Sequence, residues 1–359
     1  MVMNNLYKSL FHVRYTCRLY SQTASFQIQQ LHSRALIRLT GDDIYTFLQG
    51  LITNDINTLN SDGHSVFTMF LNNRGRVLYD SLIYRKTERE LILECDSTIR
   101  DNLVKHLKMY RVRKKVDITP VNEGVWAVFK DHDSINDPLS STSKNVNNFT
   151  VSHTPSSKRD LYESLLEKTL QCDQIAAFID PRIYILGLRI YSSNSSNVIS
   201  TLADQGVNVI VSKDYIKLRY KFGVAEGVIE LPPANCFPLE ASCEYLNGVS
   251  FHKGCYLGQE LTARIHYTGV VRKRLMPLIL SSVPECELIQ DSIVETEDGK
   301  KVGKLRGISD NYALALLRIT ESLQNAAKLK ISNVPALTYK PYWWPQEQSV
   351  EKDSSTGSS

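Results

Sequence analysis

Apolar residues change their spacing along this chain, and each spacing predicts an element. They alternate with other residues near Ala35 to Leu39, as in a half-buried strand, and turn helical from Asp42 to Leu51, where Thr40 or Asp42 is placed to cap. Between Val66 and Leu93 the runs VFTMFLN, RVLYDSLIYR and ELILEC are strand-like. They are separated by Asn72-Asn73-Arg74-Gly75 and by KTERE, which predicts an antiparallel meander. From Arg100 to Lys115, Leu103, Leu107 and Tyr110 share one helical face. Residues 131–160 are rich in Ser, Asn, Thr and Pro without periodicity and read as a flexible surface loop. A helix and a short strand follow between Tyr191 and Ser212, then a helix from Asp214 to Phe222 before Gly223. Pro232, Pro233 and Pro238 enforce an irregular stretch after it. Leu257, Leu261 and Ile265 then recur at four-residue spacing, predicting a helix that faces a core and stops at Gly269. Five short strand patterns in the remaining residues, with Asp298-Gly299 as a hairpin turn, predict a small barrel over 272–345. A polar tail, 346–359, is expected to be disordered.

The chain has 359 residues, 42% hydrophobic and 22% charged, enough for two or three domains with real cores. No run approaches the ~18 apolar residues of a membrane span, so membrane insertion is not expected. The N-terminus stands apart, because no Asp or Glu precedes Asp42 while Lys8, Arg14 and Arg18 do. Leu6, Leu10, Val13 and Cys17 gather on one face of a helix there, the amphipathic, acid-poor pattern of a mitochondrial presequence. Residues 1–24 are therefore read as a targeting peptide, the alternative being an ordinary basic arm. Its three basic residues account for most of the net charge of +4, so the rest of the chain is nearly neutral and no nucleic-acid partner is expected. Arg100–Lys115 is locally basic. Its cations read as the wet side of an amphipathic helix, or else as a site for an anionic ligand such as a polyglutamate tail or an acidic partner.

Seven cysteines at 17, 95, 172, 236, 243, 255 and 286 show neither a disulfide framework nor the paired spacings of structural zinc or a resident cluster. A reducing compartment fits, and no permanently bound metal is expected. Cys255 differs from the others in its surroundings. It lies between Lys253 and the predicted helix, with His252, Arg264 and His266 close in sequence, and positive charge and unpaired amides favour a thiolate. Gly254 and Gly258 allow tight turns beside it. The competing reading is the usual one for an unpaired cysteine, a small buried hydrophobe.

The segment GVSFHKGCYLGQELTARIHYTGVVRKRL resembles the signature of the mitochondrial transferase-like iron-sulfur cluster assembly factors, relatives of the bacterial YgfZ proteins. FLQGLITNDI, NNRGRVLYD, the PLE before the cysteine loop and the terminal barrel agree, so the resemblance runs from about Leu31 to Trp344. Its motif residues here are Lys253, Gly254, Cys255, Tyr256, Gly258, Gln259, Glu260 and Arg264. The wider superfamily includes the folate-dependent aminomethyltransferase of the glycine cleavage system. The resemblance therefore implies an α+β chain of GcvT-like folate-binding fold over residues 25–271, three subdomains around a central hole, with the small barrel behind.

The same resemblance implies a late step in [4Fe-4S] protein assembly in the mitochondrial matrix. A-type assembly proteins are the implied partners, and aconitase-type and radical-SAM apoproteins such as lipoate synthase the clients. The mechanism expected of Cys255 as a thiolate is ligation of a transient iron-sulfur cluster shared with a partner; the resemblance also implies a tetrahydrofolate cavity near Asn54, Asp55 and the Cys255 loop, with Asp80 a further candidate contact. True aminomethyltransferases carry paired aspartates where this chain has Tyr79-Asp80, so one carboxylate reads as replaced by a phenol. Folate-dependent one-carbon transfer and a non-catalytic scaffold are the competing functions. Glu260 and Arg264, four apart on the predicted helix, are expected to pair for ~0.3–0.5 kcal/mol.

Overall fold

The computed structural model describes residues 25–61, 65–130, 155–169, 175–193, 198–284 and 288–345. The predicted targeting peptide and tail, and most of the predicted 131–160 loop, lie outside the described residues. The end of that loop is corrected: a helix over Pro155–Thr169 begins inside it. Proline at a first helical position costs no hydrogen bond, and Tyr162 and Leu165 of this helix are buried against the second sheet.

The predicted meander forms an antiparallel sheet in the order Ser65–Leu71, Val77–Thr87, Glu90–Asp96, Arg34–Thr40, Asp117–Val121. Successive side chains of a strand point to opposite faces. Ile83 accordingly joins one core with Ile37, Leu39 and Phe70, while Leu82 and Tyr84 join another that spans the middle of the molecule. The Ile44–Gln49 and Arg100–Arg111 helices cover the first face. Leu103, Val104 and Leu107 are buried there, each worth ~1.5–3 kcal/mol by transfer from water. Tyr110, expected on the same stripe, is exposed and meets the ring of His106, 4.8 Å away. Neither Thr40 nor Asp42 caps the Ile44–Gln49 helix. Asp43 holds the N-cap position without a side-chain cap bond, and its carboxylate accepts instead from the Lys115 N–H at 2.8 Å.

A second sheet runs in the order Val209–Val211, Phe26–Gln30, Gly124–Phe129, Leu188–Ser192, Ala176–Ile179, antiparallel except for its first pair. The C-terminal strands close into a barrel of six, one more than the sequence pattern predicts: Lys273–Leu280, Tyr312–Arg318, Lys301–Ser309, Ile293–Thr296, Leu329–Ile331 and Val334–Thr338. Leu329–Ile331 and Val334–Thr338 read as one run in the sequence because only Ser332-Asn333, both at positive φ, separate them. Met276, Leu278 and Leu280 fill the barrel, whereas Leu275 and Ile279 pack into the central core. No helix among the described residues is long and apolar enough to cross a membrane.

Candidate functional site

Between the irregular 231–250 stretch and the Gln259–Thr268 helix, the chain makes a loop that is tied down on three sides. At its C-terminal end Gly258 sits at φ +79°, where a Cβ would come within 2.3 Å of the Asn72 carbonyl oxygen. Only glycine fits that approach, which seats the loop on the 72–75 hairpin turn. Gly254, in contrast, has open space around its Cα and carries no such requirement. The Leu257 N–H donates to the Gly50 carbonyl at 3.0 Å, joining the loop to the FLQGLITNDI segment. The Gln259 side-chain oxygen accepts the Tyr256 N–H at 3.0 Å, a role the sequence did not show.

Lys253 is where the structure departs most from expectation. Its ammonium points inward, donating to the carbonyls of Gln49 at 2.8 Å, Ile52 at 2.9 Å and Asn54 at 2.6 Å, and lies 5.1 Å from the centre of the buried Tyr256 ring. All three hydrogen bonds go to backbone at and after the end of the Ile44–Gln49 helix, so Lys253 clamps two motifs together. Burial pulls it from its ordinary 10.5 to about 8, with Asp55 opposing. The helix N-terminus is also displaced from its predicted place, since the helix starts at Gln259 behind an N-cap at Gly258, three residues past Cys255.

Cys255 is exposed at the crest of this loop, between exposed Gly254 and buried Tyr256. Among the described residues it is the one exposed cysteine. Cys95, Cys236 and Cys243 are buried, and burial pushes the Cys95 and Cys236 thiols up to about 12 and that of Cys243 well above its ordinary value. Buried thiols of that kind are inert. The following helix lies on the surface: of its residues only Thr262 is fully buried, and the Leu257, Leu261 and Ile265 stripe is half-buried, not set in a core. Glu260 and Arg264 do pair, at 3.4 Å and exposed to solvent. His266 near the helix end stacks on Phe251 with ring centres 3.5 Å apart. No group of three or more His, Cys, Asp or Glu among the described residues is arranged to hold a metal ion.

Asn54 and Asp55 do lie against the Cys255 loop, through the Asn54 carbonyl on Lys253. Their side chains serve the chain itself: Asn54 donates to the carbonyls of Phe67 and Asn247, and Asp55 accepts from Gln49 and Asn57. Asp80 is elsewhere, buried between Arg34 at 3.1 Å and the Gly227 N–H at 3.1 Å. Tyr79 faces the other side of its strand and meets Phe70 and His106 edge-on. Tyr79 and Asp80 therefore serve opposite faces of the sheet, as adjacent strand residues must.

Asp80 belongs to a buried ionic network that sequence reading missed. Arg34 pairs with Glu94 at 2.8 Å, Arg182 with Asp180 at 2.7 Å and Glu226 at 2.8 Å, and Arg189 with Glu226. Arg34, Arg182 and Arg189 come from three separate segments, and unpaired burial of any of them would be costly. A cavity of about 870 Å³ opens beside it, walled by Arg182, Tyr184, Tyr191, Tyr245 and Asn247 among others, and by none of Asn54, Asp55, Asp80 or Cys255. Asn54, Asp55 and Asp80, expected near tetrahydrofolate, each bond within the chain, and none of them borders this cavity.

Comparison with known proteins fits this architecture. Residues 23–129 match the GCVT N-terminal domain family and residues 272–346 the CAF17 C-terminal beta-barrel domain family. The fold is similar to that of glycine cleavage system aminomethyltransferase T from Bartonella henselae, at a TM-score of 0.64 over 90% of this chain and 87% of that one, with 11% identity. That likeness concerns the fold alone. In sequence the chain is 35% identical to mouse iron-sulfur cluster assembly factor IBA57, mitochondrial, over 334 residues, 88% of this chain and 85% of the relative. It is 34% identical to the human protein of the same name over 338 residues, 90% of this chain and 86% of the relative. The chain belongs to the family of the mitochondrial iron-sulfur cluster assembly factor IBA57.

Proposed function

We propose that this chain acts in the mitochondrial matrix as a late assembly factor for [4Fe-4S] proteins, with Cys255 as its working thiol. The observation that carries the reading is the contrast among its cysteines: three described ones are buried, and Cys255 alone among them stands in solvent, on a loop pinned by Lys253, Leu257 and Gly258. Iron-sulfur clusters are held by several thiolates. One exposed cysteine supplies a single ligand, so the others come from a partner, and A-type assembly proteins are the partners this reading names. Single-ligand attachment suits a cluster in transit, which must be released to clients such as aconitase or lipoate synthase. The cluster is cargo in this scheme, and no resident metal is assigned.

The test is rescue of cells lacking the protein with wild type or Cys255→Ser, reading aconitase activity and protein lipoylation with a [2Fe-2S] enzyme as control. The [4Fe-4S] enzymes should fail selectively and only wild type should restore them. Full rescue by the serine variant would sink the role of Cys255 and leave a scaffold as the better description. Tetrahydrofolate is assigned no step in this scheme.

A further inference from the structure

The Arg100–Arg111 helix ends in an unusual way. Val112, next in the chain, has φ +46° and ψ −107°, a conformation that a β-branched residue rarely adopts, and its side chain is 81% exposed. Met109, 66% exposed, and exposed Tyr110 stand beside it. Strained backbone persists where surrounding structure holds it, and it concentrates at functional sites. Here it holds an apolar side chain out in water.

A shallow cleft of about 470 Å³ opens at Arg111, which precedes Val112 in the chain, and is lined by Arg89, Arg111, Lys114 and Lys115 with Asp42 and Asp117. Asp42 is taken by Arg89, Arg111 donates to the Val116 carbonyl at 3.2 Å, and Lys114 donates to Thr46 at 3.1 Å. Among the described residues the side chains of Lys108, Arg113 and Lys115 have no ion-pair partner. The cleft lining carries four cations against two carboxylates, and the exposed apolar residues and Arg113 adjoin Arg111 in the chain. An apolar patch beside a charged rim describes a protein interface, and the near-neutral remainder of the chain does not favour nucleic acid.

The position connects the cleft to Cys255. Lys114 and Lys115 bind one end of the Ile44–Gln49 helix, at Thr46 and Asp43, while Lys253 and Leu257 bind its other end, at Gln49 and Gly50. At 1.5 Å per residue those ends are about 10 Å apart. A standard interface of ~800 Å² per partner is a disc roughly 30 Å across, about three times that separation.

We propose that this cleft and its collar of Met109, Tyr110 and Val112 dock an acidic segment of the protein that shares the cluster with Cys255. The proposal rests on the reading of Cys255 given above. Cationic charge steers the partner in, and the apolar collar holds it within reach of the thiol.

The experiment measures binding of the full chain to an A-type assembly protein, without and with its cluster, at low and high salt. It uses wild type, Arg113→Glu/Lys115→Glu, Val112→Asp and Cys255→Ser, each checked for fold by circular dichroism. Wild type should bind the cluster-free probe more weakly as salt rises. The charge reversal should lose at least about tenfold in affinity and most of its salt dependence, since two attractive pairs become repulsive, and Val112→Asp should lose affinity at both salts. Cys255→Ser should keep the cluster-free affinity and lose only the visible absorption of a shared cluster. Unchanged affinity in the charge reversal overturns the proposal, as does absence of wild-type binding to the probe. Salt-dependent binding to cardiolipin vesicles or RNA in place of the probe overturns it too. Loss of cluster sharing with docking intact in wild type would count against the Cys255 reading alone.

Discussion

Replacing Lys253 by Met separates two ways in which a lysine next to a reactive cysteine can act. Methionine keeps most of the aliphatic stem over Tyr256 and removes the ammonium, leaving the carbonyls of Gln49, Ile52 and Asn54 without their donor. A hydrogen bond from a charged donor contributes ~1.5–3 kcal/mol when buried. Lys253 is only half-buried, so water recovers part of each bond, and the three together come to about 2–4 kcal/mol. Urea denaturation should show that loss. It should also show a change in pH dependence. Burial holds Lys253 at about 8, below its ordinary 10.5, so between those values the unfolded chain binds more protons and this group's contribution makes stability rise with pH. The methionine variant should lack that rise. Alkylation of Cys255 by iodoacetamide at neutral pH, with Cys255→Ser as background, should proceed within about twofold of the wild-type rate, because the ammonium is spent on backbone. A variant as stable as wild type, with that rate down about tenfold or more, would refute the clamp and restore the lysine as partner of the thiolate.

Three further outcomes follow from the same geometry. Glu226→Gln leaves Arg182 and Arg189 short of a carboxylate and should cost ~3–5 kcal/mol in denaturation. Although burial raises it, Arg189, Arg182 and Arg34 hold Glu226 well below the usual carboxylate range. Its contribution is present above the ordinary value of 4.5 and lost as pH falls through the lower folded one, so the variant should show a flatter acid limb. Gly258→Ala should destabilise by at least ~1 kcal/mol, since its Cβ would collide with the Asn72 carbonyl at positive φ, whereas Gly254→Ala should melt like wild type. Cys243→Ser places a hydroxyl in a buried cluster and should cost ~1–3 kcal/mol, while Cys255→Ser at the surface should stay within about 0.5 kcal/mol of wild type by thermal melting.

The elements were legible because periodicity is local. Alternation placed the meander within a residue or two, and four-residue spacing found the helices at Arg100–Arg111 and Gln259–Thr268. What escaped depends on direction and distance. The Lys253 side chain crosses to residues about two hundred positions earlier, and nothing beside it in the chain says that it turns inward. Strand alternation alone would have separated Tyr79 from Asp80, and that signal was available. The ionic network was not: Arg34 and Glu226 are almost two hundred residues apart, and the one local hint is Arg189 set among apolar neighbours in Leu188–Ser192. Surface exposure was half legible, since the stripe of Leu257, Leu261 and Ile265 marks a packed face but not how deeply the helix sits.

The pinned loop and the exposed thiol explain each other. A cysteine that supplies one ligand to a shared cluster gains little from its own side, so the entropy of a mobile loop would consume much of that gain on every encounter. Here the ordering is settled beforehand by folding: Lys253 ties the loop to three carbonyls, Leu257 to a fourth, and Gly258 fits it against the 72–75 turn. None of these contacts covers Cys255 itself. The same anchors explain why the sequence around the cysteine is so particular although the thiol stands in solvent: Lys253, Gly258 and Gln259 hold the backbone, and their chemistry is directed inward so that the cysteine's can be directed outward.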